Sequence, residues 1–312
     1  MRTNRTWTTT ATGGGLALLL GLTACGDGGG DGGGDGGGEL AGASITVGSK
    51  EFTESHVLAH ITALLLEDAG AETTDQTGIS GTATVREALE TGEIDIYWDY
   101  TGTGWVDILG NTTEDLPEDL YGAVVEADAE NEIAWLEPAD FENTYRLAAT
   151  QSFADEHDLE TTSDAADFIA ENPDQNSICA ASEFINRDDG LPGLEEAYDV
   201  DFDVVELDFN LIYTQVGDSC EFGEVFSTDA RIEANDLVVL DDDEDFFVPY
   251  EGSVTLREET LDEHPAIGDL HEPVSQALTD EVVMELNSRV DTMGEDPRDV
   301  AEDWLTEQGF IG

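Results

Sequence analysis

Basic residues are almost missing from this chain: its 312 residues carry ten Lys and Arg against 73 Asp and Glu, a formal net charge of −63. Without a basic footprint to neutralise phosphates, nucleic-acid binding is excluded. Docking on anionic lipid through a polybasic patch is excluded with it. Once Arg2 and Arg5 are set aside, seven arginines and a single lysine, Lys50, remain. The acids run through every segment, so the charge is not that of a folded domain with one acidic tail. Self-repulsion on this scale destabilises a compact chain at low ionic strength. At about 1 M salt the Debye length shrinks to about 3 Å and the repulsion is screened. The composition therefore points to a protein that works in concentrated salt. Disorder, the other reading of so much charge, needs few aromatics, and five Trp, seven Tyr and twelve Phe argue against it.

Cysteine is scarce too, with three in all. Arg2 and Arg5 precede an apolar run over 16–22 that is too short to cross a bilayer as a helix and reads as a secretory signal. It ends in Leu22-Thr23-Ala24-Cys25. That run resembles the lipobox of bacterial lipoproteins, in which the cysteine is lipidated and becomes the first residue of the mature chain. Residues 1–24 are therefore expected to be a lipoprotein signal peptide, and 25–43 a lipidated Cys25 with a flexible Gly/Asp tether. The Asp spacing of four in the tether does not match an EF-hand loop. Cys179 and Cys220 are left in the head. In an oxidising exterior they suggest one disulfide closing a loop of about 40 residues, worth about 3–4 kcal/mol in the chain-entropy model. Two free buried thiols are the alternative, and no matching histidine spacing supports zinc.

The length allows two domains or one bilobed one. Ser44-Ile45-Thr46-Val47-Gly48 reads as a strand, and Val57, Leu58, Ile61, Leu64, Leu65 and Leu66 recur at helical spacing before Gly70. Val85 and Leu89 mark a second helix, followed by an alternating strand over 94–98. A Thr-flanked strand surrounds Leu147. Helices are expected around 165–170 and 194–198, strands around 204–207 and 237–240, and helix again over 282–310. Strands alternating with helices indicate an α/β architecture with largely parallel sheets.

Three stretches carry a more specific signal: Gly48-Ser49-Lys50-Glu51-Phe52-Thr53-Glu54, then Arg86-Glu87-Ala88-Leu89 through Asp99-Tyr100-Thr101-Gly102-Thr103, then Ser227-Thr228-Asp229-Ala230-Arg231-Ile232. Together they resemble the substrate-binding proteins of quaternary-amine ABC importers, which capture glycine betaine, choline and related osmoprotectants. The resemblance runs from Ser44 to Phe310. It implies a two-lobed, periplasmic-binding-protein-like fold of type II with a hinge between the lobes. Lobe one would comprise 44–146 and a return segment 250–312, and lobe two 147–249, with the ligand between lobes that close by hinge motion.

A quaternary ammonium has no N–H, so hydrogen bonds cannot select it; aromatic faces can, at about 0.5–2 kcal/mol per contact. By motif the resemblance places the cage at Tyr100, Tyr145, Phe226 and Tyr250, with Tyr121 and Tyr213 in reserve. Phe226 stands where the family usually has tyrosine and keeps the π face without the hydroxyl. The carboxylate of betaine needs polar or cationic donors. Lys50 at the end of the first strand, Arg187 from the second lobe and the hydroxyl of Thr103 are expected to supply them. Choline-selective members can carry an acid at the threonine position, so Thr103 leans toward betaine; Ser55 replaces a common glutamine.

His56 and His60, four apart, and the acidic run over 241–245 could suggest a metal, and with it a secreted metal-dependent hydrolase. No third ligand is evident, and Asp229 finds no carboxylate to pair with as a catalytic acid. The expectation is a non-enzymatic receptor without metal or cofactor. It would be monomeric, lipid-anchored on the outer face of the cytoplasmic membrane, and would serve an ABC permease with its cytoplasmic ATPase. Choline or carnitine are the alternative ligands.

Overall fold

The computed structural model describes residues 38–113 and 116–312. The signal, Cys25 and most of the tether lie outside the described residues.

Two five-stranded sheets carry the fold. The first has the order β2-β1-β3-β10-β4, with β1 Ser44–Lys50, β2 Glu72–Ile79, β3 Ile96–Tyr100, β4 Ile133–Trp135 and β10 Gly252–Arg257. The second has the order β7-β6-β8-β5-β9, with β5 Tyr145–Thr150, β6 Ser177–Ala180, β7 Asp203–Glu206, β8 Phe222–Phe226 and β9 Leu237–Val239. Both sheets are mixed, which corrects the expectation of largely parallel ones. β10 runs antiparallel to β3 and β4, and β5 antiparallel to β8 and β9. The physical reason is the double crossing. The chain enters the second sheet on β5 and returns to the first on β10, and each crossing strand is inserted against the direction of a neighbour.

The two crossing segments run side by side. Glu142 and Glu251 form an antiparallel bridge, and the Asn143 N–H donates to the Tyr250 carbonyl at 3.0 Å. Tyr145 opens β5 and pairs with Phe226, so the first crossing segment ends at Tyr145.

Helix α1 (Thr53–Asp68) buries Val57, Leu58, Ile61, Leu64, Leu65 and Leu66, in keeping with its apolar spacing. It packs between the first sheet and the C-terminal helices Asp280–Asp291 and Pro297–Gln308. Gly70, at φ +98°, turns the chain out of it in a conformation that a β-carbon disfavours. On the other face of the sheet, α2 (Thr82–Thr91) buries Val85 and Leu89. Between these layers all five residues of β3 are buried, so the strand does not alternate. Arg86 of α2 is buried and makes two N–H bonds to Asp128, at 2.6 and 2.5 Å, pinning α2 to the helix Leu120–Asp128. Cys179 of β6 and Cys220, just before β8, form a disulfide with Cα atoms 5.7 Å apart.

Candidate ligand-binding cleft

The ends of the strands converge where the crossings pass. β1 delivers Lys50 to the cleft, and the turn into α1 adds Glu51 and Phe52; β3 delivers Tyr100 and, past its end, Thr103. The crossing segments bring Asn143, Tyr145 and Tyr250, and the second lobe contributes Ala181, Glu183, Phe209, Glu224 and Phe226. These residues line a tight cavity of about 60 Å³. At Gly102 a β-carbon would come within 2.7 Å of Tyr250 Cε1, so the glycine of the Asp-Tyr-Thr-Gly-Thr run lets the crossing strand approach.

Six of the seven residues expected from sequence line this one cavity: Lys50, Tyr100, Thr103, Tyr145, Phe226 and Tyr250. Their rings adjoin. Tyr145 lies 5.0 Å from Phe226 and 5.6 Å from Tyr250 between centroids, and Phe52 sits 5.2 Å from Phe226 and 6.3 Å from Tyr100. Burial drives the phenols of Tyr100, Tyr145 and Tyr250 well above their ordinary pKa, so they stay neutral with their π faces available. Phe52 and Phe209 were missed by the sequence reading. Phe52 stands inside the Ser-Lys-Glu-Phe-Thr-Glu run, which was a usable signal. Phe209 stands 4.4 Å from Phe226 with no motif around it.

Arg187 is the exception. It is not among the residues that line the cavity, and its guanidinium lies over the Tyr145 ring, 5.5 Å from the centroid. Asp189 holds its guanidinium through two N–H bonds at 2.8 and 2.6 Å, Glu183 accepts a third at 3.0 Å, and Thr103 Oγ1 lies at 3.4 Å. Lys50 is also engaged: its Nζ donates to Asp99 Oδ1 at 2.8 Å, and Asp99 accepts from the Tyr97 hydroxyl as well. Both cations therefore meet internal carboxylates. Ser55 closes the end of β1 by accepting from the Lys50 N–H at 2.9 Å. The reserve tyrosines do not line the cavity. The Tyr121 hydroxyl donates to the Trp135 carbonyl away from it, and the Tyr213 hydroxyl accepts the Phe226 N–H at 3.1 Å from behind the wall.

Acids make up much of the polar wall. Burial pushes the Glu183 carboxyl up, but the charges of Lys50 and Arg187 and the Thr82 hydrogen bonds hold it below the ordinary value. Burial raises Glu224 to about 8, and neighbouring Glu183 adds to the effect. Beneath the cage, Glu54 is a fully buried hub. Its Oε1 accepts from the Tyr100 hydroxyl at 2.6 Å and Asn143 Nδ2 at 2.8 Å; its Oε2 accepts from the Thr228 hydroxyl at 2.6 Å and Asn287 Nδ2 at 3.1 Å. Thr228 belongs to the second lobe, so this carboxylate also clasps the lobes together.

His56 and His60 are half-buried on α1, and burial lowers the pKa of both. Among the described residues no three His, Cys, Asp or Glu side chains gather as metal ligands. In the run over 241–245, Asp242 accepts from the Tyr198 hydroxyl and from the N–H groups of Phe246 and Phe247. Asp229 is tied to Arg231 at 2.5 Å.

The model of the substrate-binding domain of the ABC-type glycine betaine transport system matches residues 43–307. The chain belongs to this family. The glycine-betaine-binding protein of Pseudomonas aeruginosa is 34% identical over 278 residues, covering 86% of this chain and 89% of that one. The ergothioneine transport permease/ergothioneine binding protein of Helicobacter pylori is 32% identical over 271 residues, 85% of this chain and 48% of the relative, so the chain spans about half of it. The crystal structure of a glycine betaine/carnitine/choline ABC transporter matches with a TM-score of 0.69 at 25% identity, over 86% of this chain and 99% of that one. The two lobes are thus the type II arrangement of this substrate-binding family, and the cavity lies at the crossings between them.

Proposed function

We propose that the cleft captures a quaternary ammonium osmoprotectant, glycine betaine ahead of choline or carnitine, and delivers it to an ABC permease driven by a cytoplasmic ATPase. The observation that carries this reading is the convergence of aromatic rings from both lobes and both crossings on one cavity with an acid-rich wall. Such a wall attracts a cation that cannot donate hydrogen bonds, and neutral ring faces hold it. Tyr100, Tyr145, Phe226 and Tyr250 would form the cage, with Phe52 beside them. The Thr103 hydroxyl and the free protons of Lys50 would meet the carboxylate. Arg187, held by Asp189, would position Tyr145 rather than touch the ligand. The receptor would work as a monomer tethered through lipidated Cys25 on the outer face of the membrane, in concentrated salt.

Calorimetric titration in molar salt with glycine betaine and then choline tests this directly. Saturable binding of betaine, with choline weaker, is the expected result. Silence from both ligands in a folded sample overturns the reading. Tyr145→Ala, which removes the ring touching both Phe226 and Tyr250, is expected to weaken betaine binding more than tenfold while the circular dichroism spectrum is kept. An unchanged affinity would displace the cage.

A further inference from the structure

Glu224 is a carboxyl of the acid-rich wall whose own part in binding the aromatic cage does not define. It is 2% exposed yet lines the cavity. It lies on β8 opposite Leu147, two residues before Phe226, which lies opposite Tyr145; alternation along the strand therefore puts Glu224 on the face that carries both rings. One of its oxygens accepts the Ala181 N–H at 2.8 Å, and among the described residues the other makes no hydrogen bond. Among the described residues no cation pairs with it. Lys50 is bound to Asp99, and Arg187 to Asp189 and Glu183.

We propose that Glu224 is the counter-charge for the ammonium head of the ligand, and that it releases one proton to solvent when the ligand enters the cage. This inference rests on the receptor reading above. The charged and titratable groups around Glu224 fix the sign. The helix Ser182–Asn186 brings Glu183, followed by Arg187; β5 brings neutral Tyr145; across the cavity stand Lys50, Glu51 and Tyr250. Burial and Glu183 raise Glu224 to about 8, while the Ala181 N–H and Arg187 act the other way without prevailing. At neutral pH the free cleft therefore holds a neutral acid. An ammonium in the cage is a fixed positive charge beside it, which favours the carboxylate. The ligand binds the ionised form, so affinity is full above about pH 8 and falls as the pH drops below that value. By linkage the slope approaches about tenfold per pH unit, until the pKa of the bound form is reached.

The test is titration of the whole protein in molar salt with glycine betaine and with choline, from pH 6.5 to 9.5, in two buffers of unlike ionisation enthalpy. Close to one proton released per ligand near pH 7, fading above pH 9, is expected for both. Choline carries no acid, so its agreement assigns the effect to the ammonium. Glu224→Gln is expected to abolish both the proton release and the pH slope. Tight binding at pH 7 without proton release, or with proton uptake as when a neutral Glu224 donates to the betaine carboxylate, overturns this inference and leaves the receptor reading standing. A slope that survives in Glu224→Gln does the same. Absence of binding by either ligand at every pH overturns both.

Discussion

Replacing Glu54 with alanine is expected to lower the stability of the head by about 3–5 kcal/mol, the scale for removing one partner from a buried charged network. The carboxylate accepts from four donors drawn from four parts of the chain: Tyr100 at the end of β3, Asn143 in the first crossing, Thr228 beyond β8, and Asn287 in the helix Asp280–Asp291. All four are buried, so truncation leaves each with an unmet hydrogen bond at about 1–3 kcal/mol before relaxation or water offsets it. Burial alone works against this residue, as the raised pKa of Glu54 shows. The donors are what make a carboxyl tolerable there. Thr228→Val separates the two tasks of the hub, because it removes only the bond to the second lobe. It is expected to destabilise by about 1–2 kcal/mol and to loosen lobe closure, read as faster ligand dissociation. Glu54→Ala adds the loss of the anchor behind the Tyr100 ring. Denaturant melts of the two variants check the ordering. Equal stability of Glu54→Ala and wild type would mean that the hub is filled by water at no loss.

The sequence made the apolar architecture legible and the polar architecture opaque, for reasons visible in single elements. The stripe of α1 survives as read because one face of a helix must meet the sheet. The sequence of β3 suggests alternation, and its five buried residues show why that fails for a central strand covered by helices on both faces. β2, with the sequence Glu-Thr-Thr-Asp-Gln-Thr-Gly-Ile, carries one apolar residue at its end and no alternating pattern. It is an edge strand held through its backbone to β1. Four of the cleft aromatics follow from the resemblance; Phe52 was missed although it stands inside a motif, and Phe209 and Glu224 were missed with no motif around them. The cations failed differently. In a chain where acids stand everywhere, nothing in the sequence tells Asp99, 49 residues from Lys50, or Asp189, two from Arg187, apart from the rest. Yet those two carboxylates decide that neither cation is idle.

The same scarcity of positive charge leads to the largest expected effect. Of the eight Lys and Arg in the described residues, seven form ion pairs: Lys50, Arg86, Arg187, Arg231, Arg257, Arg289 and Arg298. The eighth, Arg146, stacks on Phe247. Nearly every positive group there is thus spent on a particular acid, and the outer faces carry carboxylates with no partner among the described residues, as at Asp299, Glu302 and Glu307 on the C-terminal helix. For a charge of −63 on a sphere of roughly 24 Å radius, the self-energy is on the order of 90 kcal/mol at 0.15 M salt and roughly 40 at 1 M. An expanded chain retains only part of that. A difference of even a tenth rivals the ~5–15 kcal/mol that holds an ordinary domain together. The Tm is therefore expected to rise by more than about 10 °C between 0.1 and 2 M NaCl. Screening gives its steepest gain at the low end, where the Debye length changes most, whereas salting-out of apolar surface grows steadily with concentration. The triple variant Asp299→Asn, Glu302→Gln, Glu307→Gln separates these causes. Under screening it melts higher than wild type at 0.1 M, and the two converge at 2 M. A Tm that fell steadily as salt was added would mean that the paired arginines, rather than the unpaired acids, dominate the charge balance of the fold.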